Sequence, residues 1–288
     1  MSSDGARNER TEVVVVIGAG AIGQAIARRI GVAKMIVLAD INEDAARKAA
    51  ATLSGVGYET RTSHVDVSSH ESVKVLAKTA AELGSVIHVV HTAGLSPAQA
   101  SPEGIIAVDL VGAAYVLEEF GRVIAPGGSG IVISSQAGHM IPPLPPEQNE
   151  ALARTPANQL DQLPFLQPAV VTNSGVAYAI SKRANTLRVQ AASVEWGDRG
   201  ARVNSLSPGI IMTPLAQDEL NSPAGEAYQR MIQASAAGRV GTPDEVGATA
   251  AFLMGRDSSF ITGSDLLIDG GVIASIAAGR FKLQMGGD

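Results

Sequence analysis

Tyr178 and Lys182 stand four residues apart in a stretch of helical character, which sets both side chains on one helix face. A free tyrosine ionises near pH ~10, too high for a base at neutral pH. A lysine ammonium a few ångströms away favours the phenolate and brings that value down, each unit being about 1.4 kcal/mol of differential interaction. Such a pair can pass a proton to or from a substrate oxygen. The same spacing also arises when a half-buried tyrosine packs along a lysine stem, so the pair needs company before it carries a function.

Gly18-Ala19-Gly20-Ala21-Ile22-Gly23 supplies some. It follows a β-branched run and opens a helical stretch, the context in which a glycine-rich turn binds a dinucleotide. Gly18 permits the tight turn, Gly20 lets the backbone approach a pyrophosphate, and Gly23 lets the helix pack closely. The N–H groups of the first helical turn, from Ala21 and Ile22 onward, then face the phosphates. Asp40 ends the next predicted strand, where a carboxylate can accept hydrogen bonds from the adenosine ribose and repel a 2′-phosphate. Neither Ile41 nor Asn42 offers a cation to hold such a phosphate, so NAD is the expected cofactor. The competing reading makes Asp40 an N-cap for the helix that follows.

The hydrophobic pattern names the scaffold that must hold these groups. Residues 13–17 are an uninterrupted β-branched run, and a strand apolar on both faces belongs in a parallel sheet covered on both sides. Residues 35–39, 86–90 and 131–133 repeat the theme. Ala-rich helical stretches lie between, at 42–53 and 71–83; in the second, Val73, Leu76, Ala80 and Leu83 recur at helical spacing. Later come a long helix over 176–195, a strand at 202–206, a helix at 243–254 and a strand at 266–269. This alternation predicts the α/β class: a single doubly wound Rossmann-type parallel sheet with helices on both faces. No linker divides the chain, so residues 1–288 are expected to form one domain.

Residues 139–173 break the alternation. Pro142-Pro143, Pro145-Pro146, Pro156, Pro164 and Pro168 crowd this segment, and only a short helix over 147–154 suggests itself. A stretch that long without regular structure is usually functional or disordered. A lid, a subunit contact and a tolerated surface loop all fit.

With 22 Lys and Arg against 28 Asp and Glu, the net charge is −6, and no basic cluster offers itself to nucleic acid. There is no cysteine, which rules out disulfides and thiolate metal sites. His64, His70, His88, His91 and His139 show no metal-ligand spacing and read as solvated or core positions. Glu118-Glu119 and Asp218-Glu219 read as solvated helix faces. No apolar run reaches the ~20 residues of a membrane span. Residues 1–12 lack the apolar stretch of a signal peptide, so a cytoplasmic protein is expected.

Further motifs follow in order. Asp66-Val67 precedes His91-Thr92-Ala93-Gly94, and Ser134-Ser135 ends the strand at 131–133. After Tyr178 and Lys182 come Asn204-Ser205-Leu206-Ser207-Pro208-Gly209, Thr213-Pro214 and Arg239-Val240-Gly241-Thr242-Pro243-Asp244-Glu245. Thr262-Gly263 and Asp269-Gly270-Gly271 close the series. Over nearly the whole chain this succession resembles the short-chain dehydrogenase/reductase family. The resemblance implies an NAD-dependent oxidoreductase working on a small-molecule alcohol or ketone, assembled as a homodimer or homotetramer. It implies that Asp66 and Val67 hold the adenine, that Ala93 and Gly94 line the cofactor cleft, and that Pro208, Gly209, Ile211 and Thr213 hold the nicotinamide. Ser135 would bond the substrate oxygen, Tyr178 would exchange its proton, and Lys182 would bind the nicotinamide ribose and tune Tyr178. Strand alternation turns Ser134 the other way.

The chain departs from the family's pattern in three places. Its glycine-rich turn is one residue shorter than usual. Where the family has an Asn feeding a water-linked proton relay to the lysine, this chain has Asp109, which either accepts the relay water or leaves the relay absent. The Pro-rich insert separates Ser135 from Tyr178, which places it beside the substrate cleft; His139 begins it. The insert, with the shortened region before Asp109, is similar to the bacterial 3α-hydroxysteroid dehydrogenase/carbonyl reductase branch and implies a bulky alicyclic substrate. A non-catalytic NAD(H) sensor on the same fold is one rival, although it need not keep Ser135, Tyr178 and Lys182 together. A sugar-nucleotide epimerase or dehydratase is the other, although only 17 residues follow Gly271 to build its larger C-terminal domain.

Overall fold

The computed structural model describes residues 10–98, 100–221 and 225–280. Residues 1–9, most of the segment read for a signal peptide, lie outside the described residues, as do the side chains of Asp218 and Glu219. The first half of the chain alternates β1 (Glu12–Ile17), α1 (Ala21–Ile30), β2 (Met35–Asp40), α2 (Glu43–Ser54), β3 (Glu59–His64), α3 (His70–Leu83) and β4 (Ser85–His91). A helical column then runs through α4 (Pro102–Ile105), a π-helical stretch (Ile106–Gly112) and α5 (Ala113–Val123) to β5 (Ser129–Ile133). The second half holds α6 (Pro146–Arg154), α7 (Ser174–Asp198), β6 (Arg202–Pro208), α8 (Pro214–Leu220), α9 (Gly225–Ala234), α10 (Pro243–Met254), β7 (Asp265–Ile268) and α11 (Val272–Ala277).

The seven strands pair in parallel in the order β3-β2-β1-β4-β5-β6-β7. In β1 the pleat sends Val13, Val15 and Ile17 to one core layer, with residues of α3, α5 and α7. Val14 and Val16 go to the other, with residues of α1, α2 and α10. The valine run therefore serves two cores at once. Chain order reverses between β1 and β4, the switch point at which such sheets open a crevice beyond their carboxyl ends.

Two features lie outside what the hydrophobic pattern shows. The polar sequence of β3, Glu-Thr-Arg-Thr-Ser-His, gives no hydrophobic signal because β3 is an edge strand and largely exposed. The insert is a packed layer. Its Leu152, Ala157, Leu160, Leu166 and Val171 are buried in the same core as α5 and α7. Arg188 of α7 donates to the carbonyls of Leu152 (3.2 Å) and Thr155 (2.8 Å), while its other arm meets Glu118 Oε1 at 3.1 Å. The same oxygen accepts the Ala157 amide at 2.9 Å.

That geometry corrects the reading of Glu118-Glu119 as a solvated face. Glu118 clamps the insert, and Glu119, only 5% exposed, faces His70 Nε2 at 2.8 Å and Arg122. Helical periodicity could not show this, because the covering segments come from α3 and the insert.

Candidate active site

The strand ends set out the expected residues in spatial order. Asp66 and Val67 follow β3, Asp40 ends β2, the glycine-rich turn follows β1, and Ala93 and Gly94 follow β4. Gly18 has φ +98°, and a Cβ there would lie 2.5 Å from Thr92 Oγ1 and 2.6 Å from the Ala93 nitrogen. A Cβ on Gly23 would collide with the Gly18 carbonyl, so helix and turn pack as the motif requires. A Cβ on Gly20 would meet nothing within 4 Å, and no side chain caps α1 there. The turn thus presents open space and uncapped helix amides where a pyrophosphate would lie, and the residues fit a dinucleotide.

Asp40 Oδ2 accepts the Ala19 amide at 2.8 Å and Oδ1 accepts the Asn42 amide at 2.9 Å. The cap of α2 is Asn42, whose side chain accepts from the Ala45 amide. Asp40 instead ties the end of β2 to the glycine-rich turn. Asp66 Oδ1 accepts the amide and hydroxyl of Ser68, and Val67 is buried against Gly112.

Beyond the carboxyl ends of β4, β5 and β6 lies a cleft of about 630 Å³. It brings together Ser135, Tyr178, Lys182 and Asp109 with Ile22, Gly94, Pro208, Gly209, Ile211 and Thr213. Gly18, Gly20, Ala21, Gly23, Asp40, Asp66, Val67 and Ala93 are outside its lining and follow the strand ends toward β3. Asn173 caps α7 through the Gly175 and Val176 amides, which starts the helix one turn before Tyr178. Lys182 Nζ then sits 5.2 Å from the centre of the Tyr178 ring. It also lies 3.0 Å from Asp109 Oδ1, and both side chains are almost wholly buried. Burial alone would lower the Lys182 ammonium; Asp109 and Tyr178 outweigh it and hold the ammonium above its usual range.

The two serines part as alternation requires. Ser134 Oγ donates to the Lys182 carbonyl at 2.6 Å, whereas Ser135 Oγ accepts the Ala137 amide at 3.1 Å and stands half-buried on the cleft. Only Met140 of the insert lines the cleft, and α6 packs on α7 away from it. His139 turns to β7, where its Nε2 is 2.9 Å from Asp265 Oδ2. Ser96, Gln136, Met140, Tyr228 and Met231 also line the cleft and belong to no sequence motif. They sit on loops, on the 3-10 turn Gln136–His139 and on α9, where no motif marks them.

Comparison with known proteins gives the family. A family profile described as short chain dehydrogenase matches residues 12–145, and one described as Enoyl-(Acyl carrier protein) reductase matches residues 165–273. The chain is 42% identical over 265 residues to the short-chain dehydrogenase/reductase bsc3 of Alternaria brassicicola, covering 92% of this chain and 96% of that one. The chain belongs to the short-chain dehydrogenase/reductase family. The 3-alpha-hydroxysteroid dehydrogenase/carbonyl reductase of Comamonas testosteroni is 30% identical, with 78% and 89% of the two chains covered. The 3-alpha-hydroxysteroid dehydrogenase of Pseudomonas sp. B-0831, solved with NADH, superposes with a TM-score of 0.73 at 25% identity, covering 93% of this chain and all of that one. This short-chain dehydrogenase/reductase is an oxidoreductase acting on alcohols or carbonyls. The residues between the two profile matches, 146–164, lie in the insert. No helix among the described residues is long and apolar enough to cross a membrane.

Proposed function

We propose that this enzyme interconverts a secondary alcohol and a ketone with NAD(H), using Tyr178 as the acid/base. The observation that carries the reading is the meeting of Ser135, Tyr178 and Lys182 in one cleft, with Lys182 Nζ 5.2 Å from the Tyr178 ring centre. When bound, the dinucleotide supplies the hydride acceptor or donor. Ser135 hydrogen-bonds the substrate oxygen and stabilises charge developing on it. Tyr178 takes the alcohol proton in oxidation and gives it back in reduction. Lys182 supplies the positive charge beside the phenol. Pro208, Gly209, Ile211 and Thr213 hold the nicotinamide end. Asp40 takes the adenosine ribose hydroxyls and disfavours a 2′-phosphate. The cleft volume of about 630 Å³ and the hydroxysteroid-acting relatives favour a bulky alicyclic substrate.

The test is Tyr178→Phe, which keeps the ring and removes the proton. Turnover of secondary alcohols with NAD should fall at least about a hundredfold, the low end for general acid–base catalysis. NADH affinity should be nearly unchanged. Near-normal turnover would refute the assignment.

A further inference from the structure

This inference rests on Tyr178 as the acid/base. A lysine ammonium beside a phenol draws it toward phenolate, but here that ammonium is not alone. Asp109 Oδ1 lies 3.0 Å from Lys182 Nζ, with the two side chains 0% and 6% exposed. The carboxylate is held from its other side by the Leu95 amide, which donates to Oδ2 at 3.0 Å. A Cβ on Gly94 would collide with Asp109 and come within 3.3 Å of Lys182 Nζ, so the loop after β4 is shaped around the pair.

The other neighbours of the ammonium leave it uncompensated. On β4, burial and then the Lys182 charge depress His91 to about 3, so its imidazole is neutral at working pH. On β5 the Ile133 carbonyl stands 3.4 Å from Nζ, and the Ser134 hydroxyl is turned to the Lys182 carbonyl. On α7 the titratable neighbour is Tyr178 itself. Asp109 is the carboxylate paired with Lys182 among the described residues.

We propose that Asp109 is a charge-balancing, positioning residue: its carboxylate neutralises the Lys182 ammonium, so Tyr178 stays a phenol at neutral pH and the cleft is built to reduce carbonyls. In that direction the carbonyl carbon receives the hydride of bound NADH and its oxygen takes the Tyr178 hydroxyl proton. The phenolate left behind is reprotonated from solvent. A neutral residue at 109 would expose the phenol to the full ammonium charge. A unit charge several ångströms off, at an effective dielectric near ~20, amounts to about one to two pH units.

The experiment compares wild type and Asp109→Asn over pH, using cyclohexanol with NAD and cyclohexanone with NADH as probes. For Asp109→Asn, the acidic limb of oxidation and the alkaline limb of reduction should both move about one to two units toward acid. A uniform loss of activity with both limbs unmoved would mean a merely structural Asp109 and would overturn the proposal. If Asp109→Asn does not fold, phenolate absorbance of wild type minus Tyr178→Phe decides in its place. Tyr178 should show no phenolate below pH ~9, and phenolate already formed at neutral pH overturns the proposal. Should Tyr178→Phe keep its turnover, the acid/base reading itself fails, a result separable from unmoved limbs.

Discussion

Removing the Asp40 charge should narrow the discrimination between NADH and NADPH from both sides. Asp40→Asn is the cleaner perturbation, because an amide oxygen can still accept one of the two backbone bonds that Asp40 makes to Ala19 and Asn42. Those bonds, at 2.8 and 2.9 Å, pin the carboxylate so that it cannot swing away from an incoming 2′-phosphate. One carboxylate charge about 4 Å from one phosphate charge repels by roughly 4 kcal/mol at an effective dielectric near 20. Asp40 is partly exposed, and solvent and salt should cut that to about 2 kcal/mol. At 1.4 kcal/mol per factor of ten, wild type should bind NADH at least about thirtyfold more tightly than NADPH. Fluorescence titration with the two reduced dinucleotides measures the ratio without a substrate. Asp40→Asn should bring it within about fivefold, a residual of roughly 1 kcal/mol. Asp40→Ala should also lower the melting temperature, since both amides then lose their acceptor. Equal affinities in wild type, or an unchanged ratio in Asp40→Asn, would refute the reasoning.

Arg188→Leu should cost about 2–3 kcal/mol in urea unfolding, because Glu118 and two insert carbonyls lose a buried partner. Hydrogen exchange should quicken across residues 146–171 while NADH binding holds; protection unchanged there would mean that apolar packing alone fixes the insert. Acid should destabilise the fold through two histidines. Burial first, then Lys34 and Arg202, hold His88 down to about 4, and burial then Lys182 hold His91 down to about 3. Both folded values lie below the unfolded ~6.5, so the unfolded chain binds more protons in acid. The stability they contribute is complete above pH ~6.5 and is lost as pH falls through about 4 for His88 and about 3 for His91, at up to about 2.7 kcal/mol per pH unit near pH ~5. Urea midpoints at several pH values should show that slope, and His88→Gln should roughly halve it. A flat profile would contradict it.

What the sequence determined by itself was local. The valine run of β1, the glycine turn after it and the helical spacing of Tyr178 and Lys182 are short-range patterns. Backbone geometry alone makes such patterns mean a buried strand, a tight turn and one helix face. What lies between distant segments needed the tertiary structure. Lys182 and Asp109 are far apart in the chain, and only the packing of α7 on the π-helical stretch brings them within 3.0 Å. β3, the strand that the resemblance sets before Asp66, shows no hydrophobic run of its own because an edge strand has little apolar surface to bury. The insert gave no period because its Leu152, Leu160 and Leu166 are buried by α5 and α7 rather than by its own turns. Glu118 and Glu119, polar in any window, became a clamp and a buried acceptor once α7, α3 and the insert closed over them. His139 follows Ser135 closely in sequence, yet the chain carries it past the cleft to Asp265. Spacing along a chain fixes which face a side chain takes, but only the docking of separate elements decides which charge it meets.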